Sequence, residues 1–274
     1  MVMNFLGEPD GFVIAERCKV VVNKCFTMNV LGIDIGGSAL KGAPVDTATG
    51  KLLGERFRVP TETVYTPARV AKAALEIVRH FDWKGPVGIG FPGVVQGPLI
   101  LSSANLHKGF IGCDGEALFR KALRLPVSLI NDADAAGLAE VAFGAGRRKS
   151  GTVLMLTFGT GVGSALFVDG RLYPNSELGH VPIHGDSAEK RISAAAKERK
   201  GLSYKKWAHR VSDYLNILET ILNPGLIIVG GGISHDHAKW FHHLKVKTPL
   251  VPARFFNEAG IVGAALQAAG RLAK

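Results

Sequence analysis

The chain has 274 residues, 47% hydrophobic and 20% charged, which is enough apolar side chain for one large or two modest domains and excludes general disorder. No apolar run approaches the ~18 uninterrupted residues of a membrane span, and three cysteines (Cys18, Cys25, Cys113) make neither a disulfide framework nor a CxxC pair. Lys and Arg total 33 against 23 Asp and Glu, a formal charge of +10 that points to a polyanionic partner: nucleic acid, a membrane surface or a phosphate-rich ligand.

Residues 1–27 show no clear periodicity and no secretory signal, and Met28 stands directly before the first strand pattern. This leader is expected to be dispensable, and the cytoplasm is the expected location. From Asn29 a mostly apolar run reaches Ile35, a second covers Leu40 to Val45, and a third covers Lys51 to Val59. The turn residues Asp46 and Gly50 make these an antiparallel meander. Thr66-Pro67 gives an N-cap and a first-turn proline for a helix with Val70, Ala73, Ala74, Ile77, Val78 and Phe81 on one face. A strand at 86–91, a short helix at 114–123 and a buried strand at 126–130 follow.

The pattern then repeats in outline. Residues 132–143 read as a helix, 152–158 and 164–168 as strands around a glycine turn, and Asp169-Gly170 opens a third hairpin strand at 171–173. Two helices are expected within 187–222, a strand at 226–229 and a final helix at 257–272. Two meander-plus-helix halves imply a duplicated α/β architecture with a cleft between them.

Five places in this framework have the residue types of a site. In Asp34-Ile35-Gly36-Gly37-Ser38-Ala39-Leu40-Lys41 a glycine pair at a strand turn lets backbone N–H groups close on an anion. Asp34 could hold a hydrated Mg²⁺, and Ser38 and Lys41 could reach phosphate oxygens. A tight hairpin with a solvated lysine is the other reading. Thr157, Gly159, Thr160, Gly161 and Gly163 form a second candidate cradle, followed by a strand rather than the helix of a dinucleotide fingerprint. Asn131-Asp132 ends a strand and opens a helix. Asp132 is either its N-cap or a general base, and Asp134 could share the capping. Glu177-Leu178-Gly179-His180 places an acid and an imidazole on one turn, with Gly179 permitting close approach of a ligand. Together with Asn105 and Glu189 it suits the binding of hydroxyls better than a metal. Gly230-Gly231-Gly232 after a strand either brings a helix N-terminus to a nucleotide or is a bare turn.

The basic excess is local. Lys190, Arg191, Lys197, Arg199, Lys200, Lys205, Lys206 and Arg210 face only Glu189 and Glu198 in that stretch. Residues 235–247 add Lys239, Lys245, Lys247 and four histidines. A solvated helix face is the default for such runs.

Taken in order, Asp34-x-Gly-Gly-Ser-x-x-Lys41, Asn131-Asp132, the glycine hairpin 159–163, Glu177-x-x-His180 and Gly230-Gly-Gly232 resemble the motifs of ROK-family sugar kinases over residues 28–272. The segments 202–207, 247–253 and 257–265 are similar to the branch of that family that uses polyphosphate. The resemblance implies a duplicated actin-like ATPase (ribonuclease H-like) fold, with one domain from 28–130 plus 258–274 and another from 131–257. It implies phosphoryl transfer from inorganic polyphosphate, or ATP, to the 6-hydroxyl of glucose, with Mg²⁺ and in a homodimer.

In that resemblance Asp132 is the base, and Asn105, Asn131, Asp132, Glu177, His180 and Glu189 are sugar ligands. Gly36, Gly37 and 159–163 hold donor phosphates, and Gly230 to Gly232 hold a nucleotide. Many members carry a zinc-binding cysteine cluster after E-x-x-H. Here 181–186 has no cysteine, so no zinc is expected. A sugar-responsive regulator of the same family would need a DNA-binding domain, which 1–27 is too short to supply. With nucleic acid and membrane set aside, the cations from Lys190 to Lys206 become a candidate track for a long phosphate chain.

Overall fold

Apolar runs broken by turn residues set the framework. The computed structural model describes residues 28–60, 66–103 and 106–272. The leader 1–27 and Asn105 lie outside them. Asn29–Ile35 (β1) and Ala39–Asp46 (β2) pair antiparallel, from Asn29 opposite Asp46 to Ile35 opposite Leu40. The third expected strand is divided. Lys51–Leu52 (β3) and Phe57–Pro60 (β4) pair with opposite ends of β2, while the exposed stretch 53–56, with Gly54, Glu55 and Arg56, leaves the ladder between them.

Thr66 caps Pro67–His80 (α1), its hydroxyl accepting from the Arg69 N–H, a cap worth about 1 kcal/mol. The apolar face of α1 (Val70, Ala71, Ala74, Ile77, Val78) joins the core beneath the first sheet. Val87–Phe91 (β5) pairs parallel with β1, and a small hairpin, Val95–Gln96 (β6) with Leu99–Ile100 (β7), follows. Gly115–Leu123 (α2), capped by Asp114, leads to Val127–Asn131 (β8), parallel to β5. The six-stranded sheet runs β3-β2-β1-β5-β8 with β4 beside β2.

Asp132–Ala142 (α3) leads into the second half. Thr152–Phe158 (β9), Val162–Val168 (β10) and Arg171–Tyr173 (β11) form an antiparallel meander. A hairpin of Pro182–Ile183 (β12) and Asp186–Ser187 (β13) follows. The stretch expected to hold two helices holds three: Glu189–Ile192 (α4), Ala194–Arg199 (α5) and Tyr204–Leu222 (α6). Extended Ser193 ends the first and caps the second, and Gly201, at φ +56°, turns the chain before the third.

Leu226–Gly230 (β14) pairs parallel with β9, and Leu250–Pro252 (β15) pairs parallel with β14. Ala259–Leu272 (α7) begins two residues later than expected, after a 3-10 turn at Phe256–Glu258. The second sheet runs β11-β10-β9-β14-β15. Both sheets therefore have one plan, an antiparallel meander extended by two parallel strands.

Helices α3 and α7 lie between the sheets. Ala136 and Ala139 of α3 and Ile261, Val262 and Ala265 of α7 share one core with Val30, Ala43 and Val45 of the first sheet and Val153, Met155, Ala165 and Phe167 of the second. Small residues permit this crossing. A Cβ on Gly263 would lie 1.6 Å from the Ala135 carbonyl oxygen, and one on Gly88 1.9 Å from that of Ala264. Buried Glu140 accepts from the Ala145, Arg254 and Phe255 N–H groups, which ties the end of α3 to the approach of α7 and satisfies a carboxylate away from water. Among the described residues no helix is long and apolar enough to cross a membrane.

Candidate active site

Parallel pairing of β1, β5 and β8 aligns three carboxyl ends, the edge where α/β sheets place ligands. The register sets Asp34 opposite Gly90, Gly90 opposite Ile130 and Phe91 opposite Asn131, with Asp132 next. Gly90 stands between the two acids. A Cβ there would lie 3.7 Å from Asp34 Oδ1 and 3.8 Å from the Asp132 Cα.

The helix cap is Asn131, neither of the aspartates considered for it. Asn131 Oδ1 accepts from the Asp134 N–H at 2.9 Å, and its Nδ2 donates to the Gly93 carbonyl at 3.1 Å. Asparagine at the strand end already has the extended backbone a cap needs, which leaves the Asp132 carboxyl out of the capping role. Among the described residues Asp132 Oδ1 accepts from the neighbouring Ala133 N–H at 2.9 Å. Burial first, then the negative charge of Asp34, pushes the Asp132 carboxyl up to about 7. Burial also raises Asp34, opposed by the positive charge of Lys41, its cross-strand partner.

The first glycine hairpin is tight and open at its tip. The Gly36 N–H donates to the Ala39 carbonyl at 3.0 Å, and a Cβ on Gly37 would meet nothing within 4 Å. A cation absent from the sequence-based candidates stands beside it. Arg58 of β4 is paired with Lys41 and donates to the Ser38 carbonyl at 3.4 Å. The broken third strand hid this, because pairing of β4 with the start of β2 is not legible from periodicity.

The second hairpin meets the start of α3. A Cβ on Gly163 would lie 2.6 Å from Thr157 Oγ1 and 2.9 Å from the Ala133 Cβ, so glycine there lets the cradle residue Thr157 approach the Asp132 turn. Gly159 closes the tip by donating to the Gly161 carbonyl at 3.0 Å, and Gly230 pairs with Thr157. The glycine run at 230–232 leads into a 3-10 helix, Gly232–Lys239, and Gly231, at φ +80°, packs on the Phe158 backbone. The structure thus gives this turn a packing role beside its open Gly232.

Glu177 precedes a 3-10 turn, Leu178–His180. The Glu177 carboxylate lies 3.6 Å from His180 Nε2, and His180 Nδ1 lies 3.9 Å from Glu189. The Val162 N–H donates to Glu189 Oε2 at 3.4 Å, so the polar array runs from Glu177 through His180 and Glu189 onto the glycine hairpin. Burial raises the Glu177 carboxyl, with His180 opposing and Glu189 adding. The close approach expected of Gly179 is to protein: a Cβ there would lie 2.1 Å from the Val162 carbonyl oxygen. That contact seats the Glu177 turn on β10.

Among the described residues no group of three or more His, Cys, Asp or Glu side chains could hold a metal ion. Burial raises both Asp34 and Asp132, and of the two Asp34, beside the first hairpin, is the carboxyl whose oxygens are placed for a cation. One carboxyl fits a hard divalent ion that keeps most of its ligands from water or a bound anion.

The basic stretch is only partly open. Lys190 pairs with Asp186 at 2.9 Å, Lys197 lies 4.2 Å over the Tyr204 ring, and Arg199 donates to the Lys190 carbonyl at 3.5 Å. Tyr204 donates to Asp236, which also pairs with Lys239 at 2.7 Å. Arg191 is half-buried, whereas Lys200, Lys205 and Lys206 are exposed on α6 and the turn before it.

Residues 30–194 match the model of the ROK family. The chain is 45% identical over 236 residues to the polyphosphate glucokinase of Mycobacterium tuberculosis (strain ATCC 25618 / H37Rv), covering 86% of this chain and 89% of that one. It is 43% identical over 236 residues to the polyphosphate glucokinase of Mycobacterium leprae (strain TN), covering 86% and 73%. The crystal structure of the inorganic polyphosphate/ATP-glucomannokinase from Arthrobacter sp. strain KM superposes with a TM-score of 0.86 at 47% identity, covering 89% of this chain and 99% of that one.

Proposed function

The chain belongs to the ROK family, and from that premise we propose that it transfers the terminal phosphoryl group of inorganic polyphosphate, with ATP as a second donor, to the 6-hydroxyl of glucose. The substrate assignment is supported by what the mycobacterial and Arthrobacter relatives are named for. The observation that carries the reaction type is Asp132: a carboxyl with a pKa of about 7, at the end of a parallel strand and beside a glycine hairpin.

Phosphoryl transfer asks mainly for positioning and charge stabilisation. Asp132 accepts the proton of the sugar hydroxyl as that oxygen bonds to phosphorus, a contribution of ~10²–10⁴ in rate. Glu177, His180 and Glu189 hold sugar hydroxyls, and Asn105 joins them in this reading. Asn131, with both ends of its amide engaged, orients Asp132 and has one remaining N–H for the sugar. The hairpin of Gly36 and Gly37, open at its tip, together with Ser38, Lys41, Thr157 and the 159–163 hairpin, holds donor phosphates. A magnesium ion held by Asp34 when donor is bound would neutralise phosphate charge and leave Asp132 free to take the proton.

The two sheets of one plan are taken as the domains of a duplicated actin-like fold, 28–130 with 258–274 and 131–257, whose closure excludes water. The cytoplasmic location and the homodimer belong to the same reading. Arg199, Lys200, Lys205 and Lys206 are its exposed track for the phosphate chain. Asp132→Asn tests the assignment: turnover should fall by ~10²-fold or more while glucose binding by calorimetry stays near wild type. Near-normal turnover removes Asp132 from the chemistry.

A further inference from the structure

The segment carrying Glu177 is held on both sides by polar groups that take no part in the chemistry above. Asn175 adopts φ +58°, a left-handed conformation that asparagine tolerates better than most residues. Its N–H donates to Asp134 Oδ2 at 2.7 Å. Its side-chain amide reaches across to the β6–β7 hairpin of the first half: Oδ1 accepts from the Val95 N–H and Nδ2 donates to the Val95 carbonyl, both at 2.9 Å. On the other side the Ser164 hydroxyl donates to the Ser176 carbonyl and accepts from the Leu178 N–H at 3.0 Å. Glu177 is thus flanked by fixed backbone.

Asp134 is 1% exposed, and its Oδ1 is buried without a hydrogen-bond partner. A half-satisfied buried carboxyl is unfavourable for folding, so packing alone gives no reason for an acid at this position. Among the described residues its side chain bonds to the backbone two residues before Glu177. That bond connects α3, where Asp132 sits, to the turn that presents Glu177, and the Asn175 amide carries the connection on to Val95.

We propose that Asp134 and Asn175 form a latch between α3 and the β6–β7 hairpin, with Asp134 a positioning residue that sets sugar affinity by fixing Glu177 through Asn175. The proposal rests on the reading of Glu177 as a sugar ligand. The latch touches neither the donor cradle nor the reacting hydroxyl. Its loss therefore weakens glucose binding and leaves donor binding unchanged.

The test uses the full-length enzyme, with glucose Kd by calorimetry and KM for glucose and for polyphosphate measured separately. Asp134→Ala should weaken glucose binding at least about tenfold, since small misplacements of a ligand group are costly, with the donor KM within about twofold. Asp134→Asn keeps an oxygen for the Asn175 N–H and should stay within about threefold of wild type. Asn175→Gly keeps the left-handed backbone, removes the amide, and should behave like Asp134→Ala, which preserves the test if the alanine variant does not fold. The double variant should be no worse than either single one.

Wild-type glucose affinity in Asp134→Ala, an Asp134→Asn variant as weak as the alanine, or a parallel rise in glucose and donor KM each overturns the latch. A wild-type enzyme that binds no glucose overturns the glucokinase reading, and this proposal with it.

Discussion

If Asp132 removes the proton from the sugar hydroxyl, kcat/KM for glucose must follow its ionised fraction. Burial and the Asp34 charge place that carboxyl at about 7. The base works when ionised, so the rate rises with pH through this value and falls about tenfold per pH unit well below it. At pH 5 a carboxyl titrating at about 7 is ionised in about 1% of molecules, whereas one at the ordinary 3.8 would be more than about 90% ionised. The two cases differ by about 100-fold in relative rate, well outside assay error.

Asp34→Asn sharpens the test by removing the second cause of the shift. Overall activity should drop because Asp34 lies at the donor hairpin, but the acid limb should move to lower pH. The assay is the initial rate of glucose 6-phosphate formation at low glucose and saturating polyphosphate, from about pH 5 to 9. Asp134→Asn supplies the control, because burial also pushes the Asp134 carboxyl up to about 7 and the limb must survive its removal. A wild-type limb near pH 4, or one that Asp34→Asn leaves in place, refutes the reasoning.

The crossing of α3 and α7 gives a stability prediction. Gly263→Ala, whose Cβ would sit 1.6 Å from the Ala135 carbonyl oxygen, should destabilise by about 1–3 kcal/mol or more in denaturant unfolding. Gly270→Ala, on the same helix with nothing within 4 Å, should be neutral or stabilise by up to ~1 kcal/mol. Neutralising Lys205 and Lys206 together, or raising salt, should raise the KM for long-chain polyphosphate more than that for ATP. Equal losses with both donors would return those lysines to a solvated surface.

Local signals carried much of this fold. Thr66-Pro67 started α1 where a cap and a first-turn proline require, and Asp169-Gly170 turned β10 into β11. The glycine hairpins and the Asn131-Asp132 junction were visible because each lies at a strand end defined by its own apolar run. What escaped depended on partners distant in sequence. Strand β15 is three residues long, ends in proline and exists only through parallel pairing with β14. Asn and Asp both cap helices, and the sequence pattern offers Asp132 and Asp134 for a role that Asn131 fills. That choice depends on which side chain meets Gly93 and which meets Asn175.

Glu189 reaches the Val162 N–H across 27 residues, and Tyr204 takes Lys197 and Asp236 into a surface cluster. Counting cations along the chain therefore does not tell which of them stay unpaired with protein groups. Charge composition left three classes of polyanion open, and the side-chain contacts decided which lysines face solvent.

The most direct measurement is glucose 6-phosphate formation in nucleotide-free buffer containing magnesium, glucose and inorganic polyphosphate, run beside ATP. The account predicts sustained, glucose-dependent product from polyphosphate alone. Product with ATP but none with polyphosphate would contradict it.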